Sequence, residues 1–192
     1  MCSRLLNTTT VVQSIIKSCM KPNSIGIDCT MGNGYDTAFL AENLLPKGVV
    51  FAFDVQEEAI ESTKNRLILE GYGEELDKRI YLIKDGHENL KHYIEKPVDC
   101  IMYNLGYLPK GNKNIATSWA TTIDSLKQGL ELLNKGGIIS MIIYHGHSEG
   151  MKEKEELELF LSSLRPSKVR ILRIDLPYNN KFPPVAYLIN KI

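Results

Sequence analysis

Ten residues, IGIDCTMGNG from Ile25 to Gly34, constrain this 192-residue chain more than any other stretch. They read as an apolar strand that runs into an acid and then a glycine turn. A second strand, VVFAFD from Val49 to Asp54, ends in another acid. Strand, glycine turn, helix, strand and terminal acid form the frame on which α/β proteins seat an adenosine-containing cofactor. A dinucleotide fingerprint spaces its glycines at the first, third and sixth positions so that a pyrophosphate can rest on the helix N-terminus. Here Gly32 and Gly34 are followed by Thr37, and Asp28 stands just before the turn. A carboxylate in that place repels a pyrophosphate but suits a cationic sulfonium carrying an ammonium group, which points to S-adenosyl-L-methionine.

The rest of the chain continues the same alternation. A leading helix is expected over Thr8–Met20, capped by Thr8 or Thr9, with Val11, Val12, Ile15 and Ile16 on one face. Strands are expected at 24–30, 49–55, 79–84, 98–104 and 138–144, separated by helices at 35–45, 56–70, a short one reaching Ile94, and 117–133. The Lys135-Gly136-Gly137 run reads as the C-cap of the last of these. After a helix over 149–164, two strands at 169–175 and 185–190 follow without a helix between them, so they form an antiparallel hairpin at the sheet edge. The expected fold is α/β: a Rossmann-like seven-stranded sheet, mostly parallel with an antiparallel last strand, and helices on both faces. One domain spans residues 1–192.

Composition narrows the class. Hydrophobic residues make up 43% and charged residues 24%, and no apolar run approaches a bilayer span, so no membrane is expected. Cys2, Cys19, Cys29 and Cys100 show no paired spacing; they read as reduced thiols of a cytoplasmic protein, with no structural metal. Lys plus Arg equals Asp plus Glu at 23 each, so no global charge marks a nucleic-acid binder. The stretch 164–192 nevertheless holds six basic residues against the single acid Asp175. It is either a solvated face or a patch that follows a phosphate backbone.

The motifs DCTMGNGYDTAFLA (Asp28–Ala41), FAFDVQ (Phe51–Gln56), DGHENL (Asp85–Leu90), YNLGYLP (Tyr103–Pro109) and KGGIISMIIYHGH (Lys135–His147) occur in the order of a class I methyltransferase. In these motifs the chain resembles the rRNA methylase family now associated with the MnmM-type tRNA methyltransferases. Thr30, where many methyltransferases place their first glycine, is a mark of that family. The resemblance implies transfer of a methyl group from S-adenosyl-L-methionine to 5-aminomethyl-(2-thio)uridine at tRNA wobble position 34. It also implies the tRNA anticodon stem-loop as partner, and it leaves room for a homodimer.

Candidate roles follow for each position. Asn33, Gly34 and Asp36 at the helix N-terminus, with Asp28, should hold the methionine end of the cofactor; the plain alternative for the glycines is a tight turn. Asp54 is placed for the ribose hydroxyls, or else caps a helix, and Gln56 lies along the adenosine edge. Asp85, Gly86 and His87 close the adenine end, although His87 could equally cap the short helix after it. Asn104-Leu105-Gly106-Tyr107 occupies the place where amino-group methyltransferases carry an Asn or Asp, two prolines and an aromatic. Asn104 would accept the target amine and Tyr107 would stack on the base, against strand-end and core alternatives. Leu105 and Gly106 depart from the prolines. Tyr144, His145 and His147 follow the fifth strand and could line the pocket or accept a proton; the H-x-H pair lacks a third metal ligand. Lys110, Lys113 and Tyr178 could meet RNA, whereas burial is the expected fate of Trp119. The rivals are a methyltransferase of rRNA or of a small amine, and a cofactor-binding interaction protein without turnover.

Overall fold

The computed structural model describes residues 7–106, 118–146, 148–176 and 183–192. Seven strands form one sheet: β1 (Ile25–Asp28), β2 (Val49–Asp54), β3 (Ile80–Lys84), β4 (Val98–Leu105), β5 (Leu133–Ile143), β6 (Val169–Ile174) and β7 (Val185–Lys191). Their order is β3-β2-β1-β4-β5-β7-β6. The first five run parallel, and β7 inserts antiparallel between β5 and β6. The expected hairpin is therefore present, with β6 at the edge.

Strand β4 shows why the sheet needs cover on both sides. Ile101, Tyr103 and Leu105 join one buried cluster with Leu126, Leu157 and Leu161, whereas Cys100 and Met102 join another with Val12, Ile16, Leu40 and Leu44. Helices α1 (Thr8–Cys19), α2 (Tyr35–Leu44) and α3 (Glu57–Leu69) serve the second cluster. The first is covered by α4 (Leu90–Tyr93), α5 (Trp119–Leu132) and α6 (Ser148–Ser163). The near-continuous apolar reading of the central strands is the signature of this two-sided burial.

Two local expectations are corrected. Asn7, not Thr8 or Thr9, caps α1: its Oδ1 accepts the Thr9 N–H at 3.0 Å. Asn7 has the extended backbone of a cap just before the helix, so its side chain meets the second helical amide, and Thr8 is instead 3% exposed inside the helix. The Gly136-Gly137 pair is not a helix cap, because α5 already ends at Leu132 and Leu133 pairs with Val98 of β4. Pairing with the sheet competes successfully for residues 133–135. Gly136, at φ +78°, then absorbs a break in register, and the Asn190 amide donates to the carbonyls of Gly136 and Gly137.

The order in which strands are added reverses at β1: the chain steps outward to β2 and β3, then returns to place β4, parallel, on the far side of β1. Such a reversal opens a crevice at the carboxyl ends of the strands. Asp28, Asp54, Asn104 and Tyr144 all lie at that edge.

Candidate active site

The turn after β1 is fixed before any ligand enters. Cys29 N–H donates to Met102 O of β4 at 2.8 Å, and Met31 N–H to Phe53 O of β2 at 3.0 Å. Gly32 and Gly34 have φ of +50° and +78°. A Cβ on Gly34 would stand 2.9 Å from Thr63 Cα, so the turn must be glycine to lie flat on α3. From α3, Thr63 Oγ1 donates to Gly32 O, Arg66 Nε to Asn33 O at 2.7 Å, and Ser62 Oγ to Asn33 Oδ1 at 3.1 Å. Asn33 is thereby tied to α3. The Arg66 guanidinium also stacks 3.6 Å from the ring centre of Tyr35, which opens α2.

Asp28 is wholly buried. One oxygen accepts the Thr37 hydroxyl at 2.6 Å and the other the Thr30 N–H at 3.1 Å. Its carboxylate thus organises the turn that surrounds it. Burial, and then the nearby charge of Asp36, raise its pKa to about 7 against the opposing pull of those two donors. Asp36, in the first turn of α2, is 6% exposed, and burial raises its pKa too. Its oxygens accept Gln13 Nε2 at 2.8 Å and Asn104 Nδ2 at 3.3 Å.

Asp54 accepts the Gly32 N–H at 3.1 Å and the Gln56 N–H at 3.0 Å, so it closes the turn; burial raises its pKa. It does not cap α3, whose N-cap is Gln56, and each of its oxygens keeps a lone pair. Gln56 is buried at the start of α3. Asp85 is held by Asn89 Nδ2 and the Tyr93 hydroxyl, both at 2.9 Å, and by the Gly86 N–H; the Asn89 bond leads in lowering its pKa. His87 is not merely a cap for the short helical turn. Its Nδ1 meets the Cys29 carbonyl at 2.9 Å, which requires a proton on Nδ1 and leaves Nε2 an acceptor. That Nε2 is buried without a partner among the described residues, and burial lowers the pKa of the ring.

On the substrate side, Asn104 N–H donates to Thr30 Oγ1 at 2.8 Å, which ties the end of β4 to the β1 turn. Thr30 thus does what a glycine there could not. Tyr144 is half exposed, with its ring against Gly106. Burial, foremost, raises the pKa of Tyr144. His145 Nε2 is buried without a partner among the described residues. Trp119, expected to be buried, is 36% exposed because it opens α5. Tyr107, Lys110, Lys113, His147 and Tyr178 lie outside the described residues. Among the described residues no three His, Cys, Asp or Glu side chains gather around a metal-sized space, and no helix is long and apolar enough to cross a membrane.

Sequence reasoning missed Gln13, Thr37, Ser62, Thr63 and Arg66. Thr37 did leave a signal: it shares the buried helix stripe of Leu40, Ala41 and Leu44, and a hydroxyl on an apolar stripe implies a polar partner beneath it. Gln13 left none.

A family model described as "Putative rRNA methylase" matches residues 50–190. The chain belongs to that family. A solved structure of a "putative rRNA-methylase" from Clostridium thermocellum shares 41% identity and a TM-score of 0.91, covering 97% of this chain and 98% of that one. A "putative methyltransferase" from Streptococcus mutans, solved in complex with SAH, shares 33% identity and a TM-score of 0.86 over 96% of this chain and 97% of that one. The tRNA (mnm(5)s(2)U34)-methyltransferase, chloroplastic, of Arabidopsis thaliana is 34% identical over 81% of this chain. The aligned part is 59% of the plant protein's length. A ribosomal RNA small subunit methyltransferase H of Clostridioides difficile is 30% identical over 45% of this chain and 27% of its own.

Proposed function

We propose that this rRNA-methylase-family chain is an S-adenosyl-L-methionine-dependent N-methyltransferase. Its substrate is 5-aminomethyl-(2-thio)uridine at wobble position 34 in the tRNA anticodon stem-loop, and its product is the methylaminomethyl nucleoside. The observation that carries this reading is the union of a sulfonium-compatible cradle, Asp28 to Asp36 with Asp54, and an amide acceptor, Asn104, joined to it through Thr30 and Asp36. The plant relative named for position 34 aligns with 81% of the chain, whereas two ribosomal RNA small subunit methyltransferases H align with 45% and 58% of it.

The residues fit the cofactor. Three carboxyl groups, Asp28, Asp36 and Asp54, gather at the turn, with Arg66 on its α3 side bonded to the Asn33 carbonyl, and the three acids favour a cation. The N-terminus of α2 offers backbone donors to a carboxylate, the Gly32 and Gly34 amides being already given to Asp54 and to the Met31 carbonyl. Asp54 keeps lone pairs for the ribose hydroxyls, with Gln56 beside it. Asp85, Gly86 and the orphan Nε2 of His87 are assigned to the adenine end. When bound, the cofactor supplies an electrophilic methyl group on sulfur. Asn104 Oδ1 accepts an N–H of the substrate amine and turns its lone pair toward that methyl group. Tyr107 stacks on the uridine, and Tyr144 with His145 flank the opening where the amine proton departs. Burial keeps the Cys29 and Cys100 thiols protonated, so neither serves as a nucleophile. Unpaired thiols at Cys19, Cys29 and Cys100 accord with a reducing, cytoplasmic setting.

The test uses purified protein, cofactor labelled on the methyl group, and tRNA carrying 5-aminomethyl-2-thiouridine. Label recovered as the methylaminomethyl nucleoside at position 34 is the expected result. Label on ribosomal RNA alone, or none at all despite measurable cofactor binding, overturns the reading.

A further inference from the structure

The contact between Asp36 and Asn104 links residues 68 positions apart, and a third residue completes it from the opposite direction in sequence. Asp36 Oδ1 takes the Nε2 of Gln13 from α1 at 2.8 Å, and Asp36 Oδ2 takes the Nδ2 of Asn104 from the end of β4 at 3.3 Å. Each Asp36 oxygen serves as an acceptor, one toward Gln13 and one toward Asn104. Both amides therefore turn their NH2 groups inward, and Asn104 Oδ1 faces away from Asp36. The backbone of Asn104 is already fixed by the bond from its N–H to Thr30 Oγ1. The amide rotation of Asn104 is the degree of freedom left, and Asp36 sets it.

We propose that Asp36 is a positioning residue that acts through Asn104: its carboxylate, clamped by Gln13, selects the amide orientation in which Oδ1 faces the target amine. The inference rests on the role given to Asn104 under the proposed function. The alternative orientation has a definite chemical consequence. With the amide reversed, Nδ2 would donate to the amine's lone pair, the same pair that must attack the methyl group. A neutral or amide side chain at position 36 loses this selectivity, because it can donate as well as accept. Among the described residues the titratable groups facing Asp36 are Asp28 from β1, Cys100 from β4 and Tyr144 after β5, none of them cationic, and its side-chain donors are the two amides.

The role differs from cofactor binding in what it moves. Methyl transfer to the tRNA substrate is measured for wild type, Asp36→Asn, Asn104→Ala and the double variant, with cofactor affinity by calorimetry. Asp36→Asn is expected to lower kcat, read at saturating cofactor, by roughly ten- to hundredfold, the cost of a misaligned reacting pair, over and above the loss of cofactor affinity that follows from its place in the cradle. In the Asn104→Ala background the same change should cost less than about twofold in kcat at saturating cofactor, since the group it orients is gone. Equal kcat costs in both backgrounds, or a kcat that saturating cofactor restores, overturn the proposal while leaving the proposed function intact. If Asn104→Ala leaves kcat unchanged, the role of Asn104 fails and the proposal fails with it. Gln13→Leu keeps Asp36 in place and should show a smaller loss of the same kind, absent in the Asn104→Ala background. That variant decides the matter alone should Asp36→Asn not fold.

Discussion

At the residue scale, Asp28 carries an electrostatic cost that a bound cation would relieve. Its pKa lies near 7 in the fold against an ordinary 3.8, first because it is buried and then because Asp36 and, more weakly, Asp54 lie close. A carboxyl group with a raised folded-state pKa binds more protons folded than unfolded between those values. Its contribution to stability is therefore full below about pH 4 and lost as pH climbs through about 7. His87 has the opposite slope: its lowered pKa costs stability as pH falls below its usual range. Subtracting the urea-unfolding stability of Asp28→Asn from that of wild type cancels the histidine and isolates the aspartate. The difference should decline steadily from about pH 4 to about pH 7 and then level, measured without cofactor. A difference that stays flat, or rises, over that interval would show that Asp28 is ionised throughout and stabilised by its Thr30 and Thr37 donors.

At the element scale, α1 joins packing to the site. Val12 and Ile16 are fully buried against the sheet, while Gln13, one residue along, reaches Asp36. Ile16→Ala should cost about 2–5 kcal/mol in urea unfolding, and the exposed Ser14→Ala less than about 0.5 kcal/mol. A loss below about 1 kcal/mol for Ile16→Ala would mean that α1 is not packed as described. This helix also shows what a sequence discloses. Val12 and Ile16 announced a buried face by their spacing, as the strands announced themselves by apolar runs and the turn by Gly32 and Gly34. Periodicity reports which face of an element is buried; it carries no information about which polar atom another element will supply. The bonds from Gln13 to Asp36, from Asn104 to Thr30 and from Arg66 to Asn33 join separate elements, and no local pattern encodes them. The same reason explains the end of α5. Gly136 looked like a cap, and only the competition of β4 for Leu133 shows that the helix stops earlier.

At the scale of the whole molecule, the strand order makes the crevice a junction of the sheet and not an appendage to it. The loops after β1, β2 and β4 meet there, held by bonds that cross from one strand to the next: Cys29 to Met102, Met31 to Phe53, Gly32 to Asp54, Asn104 to Thr30. A ligand seated among them contacts elements from both halves of the sheet, so unfolding any one strand at this edge releases it. Binding to the folded state alone should then stabilise the entire domain by mass action, about 2.7 kcal/mol at a hundredfold excess over Kd. For a chain of this length each kcal/mol raises the melting temperature by about 2–4 °C, which gives an upward shift of roughly 5–10 °C. S-adenosyl-L-methionine and its demethylated product should both produce it, because both carry the ammonium, carboxylate and adenosine that the cradle is assigned to hold. NAD should produce none, since its pyrophosphate would face Asp28 and Asp36 where a dinucleotide site offers only backbone amides. A shift with NAD, or none with either sulfur compound at millimolar concentration, would remove the cofactor assignment on which the chemistry of this edge depends.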